Sequence, residues 1–355
     1  MKWGILRLGL SIYLLGLAVL MLAGCLPATA QTQELRVGGR LDVLPLMEEV
    51  RPRFESSTGI SLTVRPTDAS IQDLRAGKLD VVVLGRDPSV AELTGLVDHV
   101  VALDAICVVV DVRSYVGGVQ ADLSFHPKLL RAKTEGLRGL TLDEVRYLFG
   151  NRIRGSGPVW QWEGMNFKFQ NTGTGVDKVS EDPKNPGYAV GKWVKAPVYL
   201  IPDLWRPNKV DTQSALFGVL GLPEGDTVSA GNNLFLPRFL ESEEELVSFR
   251  YSKGPAPAPI GSEQFGYQMA VLSRRVTIKA IEHGFRLRAL AIDGIDPVQD
   301  PAVIYDGTYP MPRKIHLLTR TNASPDASAL AALLLSPEGQ QAVAASGFLP
   351  LAPAR

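Results

Sequence analysis

The sequence predicts an α/β protein of two lobes, and three observations carry that prediction. Between Leu35 and Leu84, aliphatic runs alternate with amphipathic stretches in the order strand, helix, strand, helix, strand, which is how a doubly wound sheet begins. The last run, Leu79 to Leu84, is almost continuously apolar, as in a parallel strand covered on both faces. Removing a leader of 24 residues leaves 355 − 24 = 331, long for a single core.

At the N-terminus, Lys2 and Arg7 flank the uncharged run Leu8 to Leu22, which leads into Leu22-Ala-Gly-Cys25. A basic segment, an apolar segment and small residues make a secretory signal over 1–24. The apolar run is short for a spanning helix, which needs about 20 residues. Leu-Ala-Gly-Cys resembles the lipobox of bacterial lipoproteins, in which the cysteine carries the lipid. Residues 25–34 then form a lipid-anchored linker. The other reading is soluble export with cleavage after Ala28-Thr-Ala30.

Leu35 to Val37 reads as the first strand, followed by a helix from about Leu46 to Glu55 with Leu46, Val50 and Phe54 on one face. Leu62 to Val64 is the second strand. Ser70-Ile-Gln-Asp73 has capping-box spacing for a short helix that Gly77 ends. Val100 to Val112 is a strand long enough to leave the first lobe. Thr141-Leu-Asp-Glu144 is a second capping box, before Val145, Leu148 and Phe149, and opens the second lobe. In 155–197, Trp160, Trp162, Phe167, Phe169, Tyr188 and Trp193 crowd beside Asn171-Thr-Gly-Thr-Gly175 and Asp182-Pro-Lys-Asn-Pro186. Turn formers with aromatics suggest a hairpin or an ordered insertion, its aromatics serving either as a lid over a cleft or as a satellite core.

Toward the C-terminus, Ala291-Ile-Asp-Gly-Ile-Asp-Pro297 is a strand and Asp306-Gly-Thr-Tyr-Pro-Met-Pro-Arg313 a turn into a further strand, Lys314 to Arg320. Ser324-Pro-Asp starts an Ala/Leu-rich helix, and Ser336-Pro-Glu-Gly-Gln340 and Gly347-Phe-Leu-Pro-Leu351 follow. The order and wording of these segments resemble the C-terminal signature of the phosphate-binding proteins of ABC phosphate transporters, in the type II periplasmic binding protein superfamily. The regular resemblance covers 35–154, 198–222 and 288–351.

That resemblance implies that the chain returns to its first lobe near Ile292 to Gly294. Lobe I is then discontinuous, 35–108 plus 290–355, and lobe II is 109–289 with the insertion at 155–197. Two crossing strands make a hinge, and the hinge makes a cleft. The resemblance further implies capture of a small, phosphate-like anion, a membrane ABC permease as partner, and an extracytoplasmic location held by the N-terminal lipid at Cys25.

In such an anion binder the ligand sits between helix N-termini, whose free N–H groups attract it. The family supplies ligand groups from four loops. Its first, Gly-Ser-Ser-Thr-Val-Tyr-Pro, aligns with Gly39-Arg-Leu-Asp-Val-Leu-Pro45, where Arg40, Leu41 and Asp42 replace the hydroxyl residues. Thr67-Asp-Ala-Ser70 offers Thr67 and Ser70 in the second. In the third, Gly85 replaces a Ser or Asp and Arg86 is kept. In the fourth, Arg206-Pro-Asn-Lys-Val-Asp-Thr212 aligns without a gap on Arg-x-Asp-x-Ser-Gly-Thr. Arg206 and Thr212 match, Asn208 replaces the acid, and Val210 and Asp211 replace Ser-Gly. A planar guanidinium suits a bidentate oxyanion contact, and Arg206 is the foremost candidate. Its alternative is a structural ion pair with Asp42 or Asp211, and that of Arg40 is a solvated surface charge.

Like charges about 4 Å apart repel by about 4 kcal/mol at an effective dielectric of 20, or about three decades of affinity. Asp42 and Asp211 therefore oppose phosphate unless one accepts a phosphate proton or Arg40, Arg86 and Arg206 neutralise both. The alternative function is a relative of altered site that takes another ligand or serves as a sensor or interaction module. Other classes find little support. The four histidines show no metal-ligand spacing, and neither a nucleophile elbow nor a nucleotide-phosphate loop occurs, so neither catalysis nor a cofactor is expected. Without the leader, 37 − 2 = 35 basic residues face 37 acidic ones, a balance that does not favour nucleic acid. Cys107, in an apolar run, reads as a buried hydrophobe.

Overall fold

The computed structural model describes residues 33–68, 70–111, 119–122, 132–133, 139–150, 166–170, 193–201, 211–221, 242–250, 267–285 and 287–352. The leader with Cys25, most of 155–197, and 202–210 with Arg206 and Asn208 lie outside them.

Strand β1 (Glu34–Gly39) leads to helix α1 (Leu44–Thr58), which buries Leu46, Met47, Val50 and Phe54 on one side and stops where Gly59 turns left-handed at φ 72°. β2 (Ser61–Pro66), α2 (Ser70–Arg75) and β3 (Val81–Leu84) follow, and all four residues of β3 are buried. β4 (Leu96–Asp111) is 16 residues long. Next come β5 (Val119–Asp122), β6 (Ala132–Lys133), β7 (Gly139–Leu140), α3 (Leu142–Gly150), β8 (Asn166–Gln170) and β9 (Trp193–Ile201). Helices α4 (Asp211–Leu220) and α5 (Glu243–Arg250) precede β10 (Tyr267–Ser273), α6 (Arg274–Glu282), β11 (Leu287–Ala289) and β12 (Ala291–Ile292). The chain closes with α7 (Ala302–Tyr305), β13 (Pro312–Arg320), α8 (Pro325–Leu335) and α9 (Pro337–Ala345).

The main sheet runs β2-β1-β3-β13-β4-β10-β9-β8-β5-β6, with β11 also on β4. β1 and β3 are parallel, whereas β13 inserts antiparallel between β3 and β4. Strand β4 belongs to both halves of the sheet: Leu96 to Ala105 pair with β13, and Ile106 to Val110 pair with β10. Its side chains alternate, so that Ile106, Val108 and Val110 join Leu216, Val271, Tyr309 and Met311, while Cys107 and Val109 join Leu272 and Val276 on the other face. A separate core around Val37, Phe54, Val83, Leu317 and Leu330 lies under α1 and α8. Burial pushes the Cys107 thiol well above its usual range, as a packed hydrophobe requires.

Two local expectations are corrected. Helix α2 already includes Ser70, and Asp73 accepts from Thr67 Oγ1 at 3.2 Å and pairs with Lys78, so the Ser70–Asp73 capping box does not form. The Ile292–Gly294 stretch is a strand only through Ile292. Asp293 and Gly294 take φ of 51° and 83°, and β12 pairs with Gly139–Leu140 of β7. By contrast, the Thr141 box closes reciprocally: Thr141 N–H donates to Glu144 at 2.6 Å and Glu144 N–H to Thr141 Oγ1 at 3.1 Å.

Candidate functional site

The loops after β1 and β3 and the first turn of α4 meet at a buried cluster of charge. After β1, Gly39 packs against β3 so closely that a β-carbon there would lie 2.7 Å from the Val83 carbonyl oxygen. The turn from Arg40 to Val43, with Val43 N–H bonded to the Arg40 carbonyl at 3.2 Å, then starts α1 with Pro45 in its first turn. Asp42 is directed inward by that turn and is only 2% exposed. Its carboxylate accepts the backbone N–H of Asp211 at 3.0 and 3.1 Å and the Thr212 hydroxyl at 3.2 Å, standing on the α4 N-terminus where orphan N–H groups and the dipole favour an anion.

Asp211 is fully buried and faces the other way. Its Oδ2 accepts the Gly85 N–H at 2.6 Å, and its Oδ1 stands 2.9 Å from Arg40 Nη1 and 3.9 Å from Arg86 Nε. Arg40 Nη1 also donates to Ser214 Oγ at 3.2 Å, and the residue is largely enclosed, which excludes the solvated-charge reading. Arg86 forks onto Glu92 at 2.6 and 2.9 Å. The next residue, Asp87, is held by His316 Nε2 at 2.9 Å, and His316 Nδ1 lies 2.9 Å from Asp98 on β4, which fixes the third loop to the sheet.

Arg313, on β13, binds the arrangement together, and its role was not anticipated from sequence. Its Nη2 pairs with Asp42, Nη1 donates to Thr212 Oγ1 at 2.8 Å, and Nε donates to the Gly85 carbonyl at 2.6 Å. Asp104, opposite it on β4, lies 3.6 Å from Nη1 and accepts the Arg275 N–H at 3.3 Å. Nearby, Glu243 opens α5 and accepts the Ser273 N–H at 2.8 Å and the Ser273 hydroxyl. Gly85 makes the guanidinium's position available, because a β-carbon there would lie 1.8 Å from Arg313 Nη2 and 2.7 Å from Val43 Cγ1.

Electrostatics follow from burial. Desolvation raises the Asp211 carboxyl, Asp42 raises it further, and Arg40 opposes both. Burial raises Asp104 against the pull of Arg313, and pushes Glu243 up to about 7 with help from Asp42. Burial also pulls Arg313 down, but Asp42, Asp104, Glu243 and Asp211 outweigh it and hold it charged.

The structure thus brings Arg40, Asp42, Arg86, Asp211 and Thr212 together and adds Arg313, Asp104 and Glu243. Thr67 spends its hydroxyl on Asp73, and Ser70 is buried at the start of α2. Arg206 and Asn208 lie outside the described residues. The missed Arg313 stood in plain view in the return motif. The usable signal was the glycine at 85, where the aligned loops carry a side chain. Chemically, the cluster offers backbone N–H, hydroxyl and guanidinium donors around one carboxylate, a set that also fits an oxyanion. Among the described residues, no group of three or more His, Cys, Asp or Glu is placed to hold a metal ion.

No family model matches the sequence, and no curated protein does either. Solved structures do. One from Clostridium perfringens, named for a phosphate ABC transporter substrate-binding protein with bound phosphate, is 14% identical with a TM-score of 0.56 over 90% of this chain and 100% of its own. An ABC-type phosphate transport receptor from Vibrio cholerae is 14% identical with a TM-score of 0.54 over 89% of this chain and 99% of its own. A possible phosphate binding protein from Planctomyces limnophilus is 17% identical with a TM-score of 0.51 over 90% and 94%. The fold is therefore the two-lobed α/β fold of type II periplasmic binding proteins.

Proposed function

We propose that this chain, built on the type II periplasmic-binding-protein fold, is an extracytoplasmic solute-binding lipoprotein. It captures a small, phosphate-like anion where the loops after β1 and β3 meet α4, and presents the closed form to a membrane ABC permease. Binding by lobe closure, rather than chemistry on the ligand, is its mechanism. Lobe I is read as 35–108 plus 290–355, lobe II as 109–289, and Cys25 as the lipid-bearing residue.

The observation that carries this reading is the carboxylate on the α4 N-terminus. Asp42 is held there by the Asp211 N–H at 3.0 Å, by the Thr212 hydroxyl at 3.2 Å and by Arg313, and the same donors suit an oxyanion. The phosphate in the names of the three neighbours supports the same class of ligand. Among the described residues, no helix is long and apolar enough to cross a membrane. Attachment through a lipid on Cys25 is proposed from the Leu22-Ala-Gly-Cys25 sequence alone.

Titration calorimetry with phosphate, sulfate and small carboxylates tests the reading. Heat of binding for an oxyanion is expected, weakened about tenfold or more by Arg206→Ala if that guanidinium binds the anion as the resemblance implies. Absence of heat for all of them, in the wild type and in Asp42→Thr alike, would remove the oxyanion function and leave the fold. One observation favours a second reading: with Asp42 and Asp211 both inside the site, a non-phosphate ligand or a sensor or interaction role also fits. A melting-temperature screen that responds to a small zwitterion and to no anion would select it.

A further inference from the structure

Asp42 and Asp211 are exchanged between the two halves of the sheet. Asp42 follows β1 and caps the amide of Asp211 in α4. Asp211, in return, caps the amide of Gly85, which follows β3, at 2.6 Å. Both carboxylates have side chains at 0% exposure. A third side chain spans the same junction: Arg313, on β13, bonds Asp42 and the Gly85 carbonyl in one half and Thr212 in the other.

We infer that Asp42 is a built-in substitute for the ligand. It occupies the anion position on α4 and, with Asp211 and Arg313, draws the lobes together, so that an external oxyanion binds only by displacing it. This rests on the proposed function for its view of the junction as the anion site and changes one step of it: the lobes close on Asp42 before an anion arrives, and the anion exchanges with that autoinhibitory contact. The assignment stands on geometry. The donors on Asp42 are a backbone N–H, a hydroxyl and a guanidinium, the three kinds that hold oxyanions. The repulsion between two buried carboxylates is offset from both sides, by Arg40 on Asp211 at 2.9 Å and by Arg313 on Asp42. Gly85 is part of the same set, since any side chain there would overlap the Arg313 guanidinium, with a β-carbon only 1.8 Å from Nη2. The cluster is thus packed into the junction, in contrast to a surface ion pair that solvent could exchange.

Two measurements on the whole purified chain test this. In phosphate-free buffer, small-angle X-ray scattering of the wild type is expected to give the radius of a closed protein, unchanged by inorganic phosphate. The amides of Gly85 and Asp211, followed by hydrogen exchange, are expected to be protected. In Asp42→Thr, which restores the aligned hydroxyl, the Asp211 amide is expected to exchange at least tenfold faster and the radius to grow until phosphate is added. A wild type that contracts on adding phosphate overturns the inference, and this arm needs no variant. So does a folded Asp42→Thr whose radius and exchange equal those of the wild type. Calorimetry on the same samples separates the two claims. If phosphate binds neither protein while the exchange difference holds, the oxyanion function fails and the self-closure stands. If the wild type binds phosphate and contracts, the function stands and the self-closure fails.

Discussion

The missing side chain at Gly85 gives the most direct stability test at the level of single residues. Gly85→Ala must move both the Arg313 guanidinium and Val43, at 1.8 and 2.7 Å from the added carbon, and Arg313 cannot move without taking its charge from Asp42 in the interior. Overpacking costs about 1–3 kcal/mol and breaking a buried pair about 3–5 kcal/mol. A loss of about 3 kcal/mol in urea unfolding is therefore expected, and a change below about 0.5 kcal/mol would mean that Arg313 is not locked. Glu243 gives a pH test. Its folded carboxyl is raised to about 7 from 4.5, chiefly by burial. Between those values the folded chain holds a proton that the unfolded chain has released, so its contribution is complete below about 4.5 and lost as pH rises through about 7. That loss is on the order of 3 kcal/mol. Glu243→Gln, which keeps a neutral partner for Ser273, should flatten the fall in melting temperature over that window. A variant whose pH profile parallels the wild type would place the proton elsewhere.

Among the elements, the junction of α8 and α9 explains a motif that local patterning could only mark. Ser336 ends α8 and caps α9, accepting the Gly339 N–H at 3.1 Å, and Pro337 fills the first helical position, where no N–H is needed. Gly339 has no room for a side chain, because a β-carbon would sit 1.9 Å from the Leu333 carbonyl oxygen. The Gln340 amide ties the junction to the sheet, donating to the Leu334 carbonyl at 2.7 Å and the Val101 carbonyl at 2.9 Å while accepting the Leu351 N–H at 2.6 Å. Ser336→Ala is expected to cost about 1 kcal/mol. Gly339→Ala should cost several times more in the same denaturant titration, since the obstacle is backbone; equal costs would show that the two helices can separate freely. Caps were legible in sequence where donor and acceptor are three residues apart, as at Ser324 and Thr141, although the same spacing misled at Ser70. Arg313 was not legible in the same way. Its partners Asp42, Asp104 and Thr212 come from three distant segments: the pairing of β13 with β4 sets Asp104 opposite it, and the loop after β1 and the start of α4 bring the other two. The inward aim of Asp42 depends likewise on where α4 is delivered, which no local spacing encodes.

On the scale of the whole molecule, the alternation of strands and helices up to β3 and the length of the chain foretold the architecture, because hydrophobic period is a local property. The neighbour of β3 had no local signal: that the C-terminal segment returns to the first strands followed from the family resemblance alone, and β13, at the far end of the chain, is the antiparallel partner of β3. A chain ending at Met311 lacks β13, α8 and α9, leaving β3 and β4 with no partner between them. It is expected to show no cooperative transition in urea by circular dichroism, and a sigmoidal curve like that of the full chain would contradict this. The late arrival of β13 also bears on the life of the chain before it is finished. Ribosomes deliver residues in order, and a sheet whose central strand comes from the last segment cannot set until synthesis is nearly over. Until then the growing polypeptide displays two open strand edges, Val81 to Leu84 and Leu96 to Ala105, that invite other chains. The hazard of pairing with a wrong chain is therefore greatest before β13 is made, and it ends when that strand closes both edges at once.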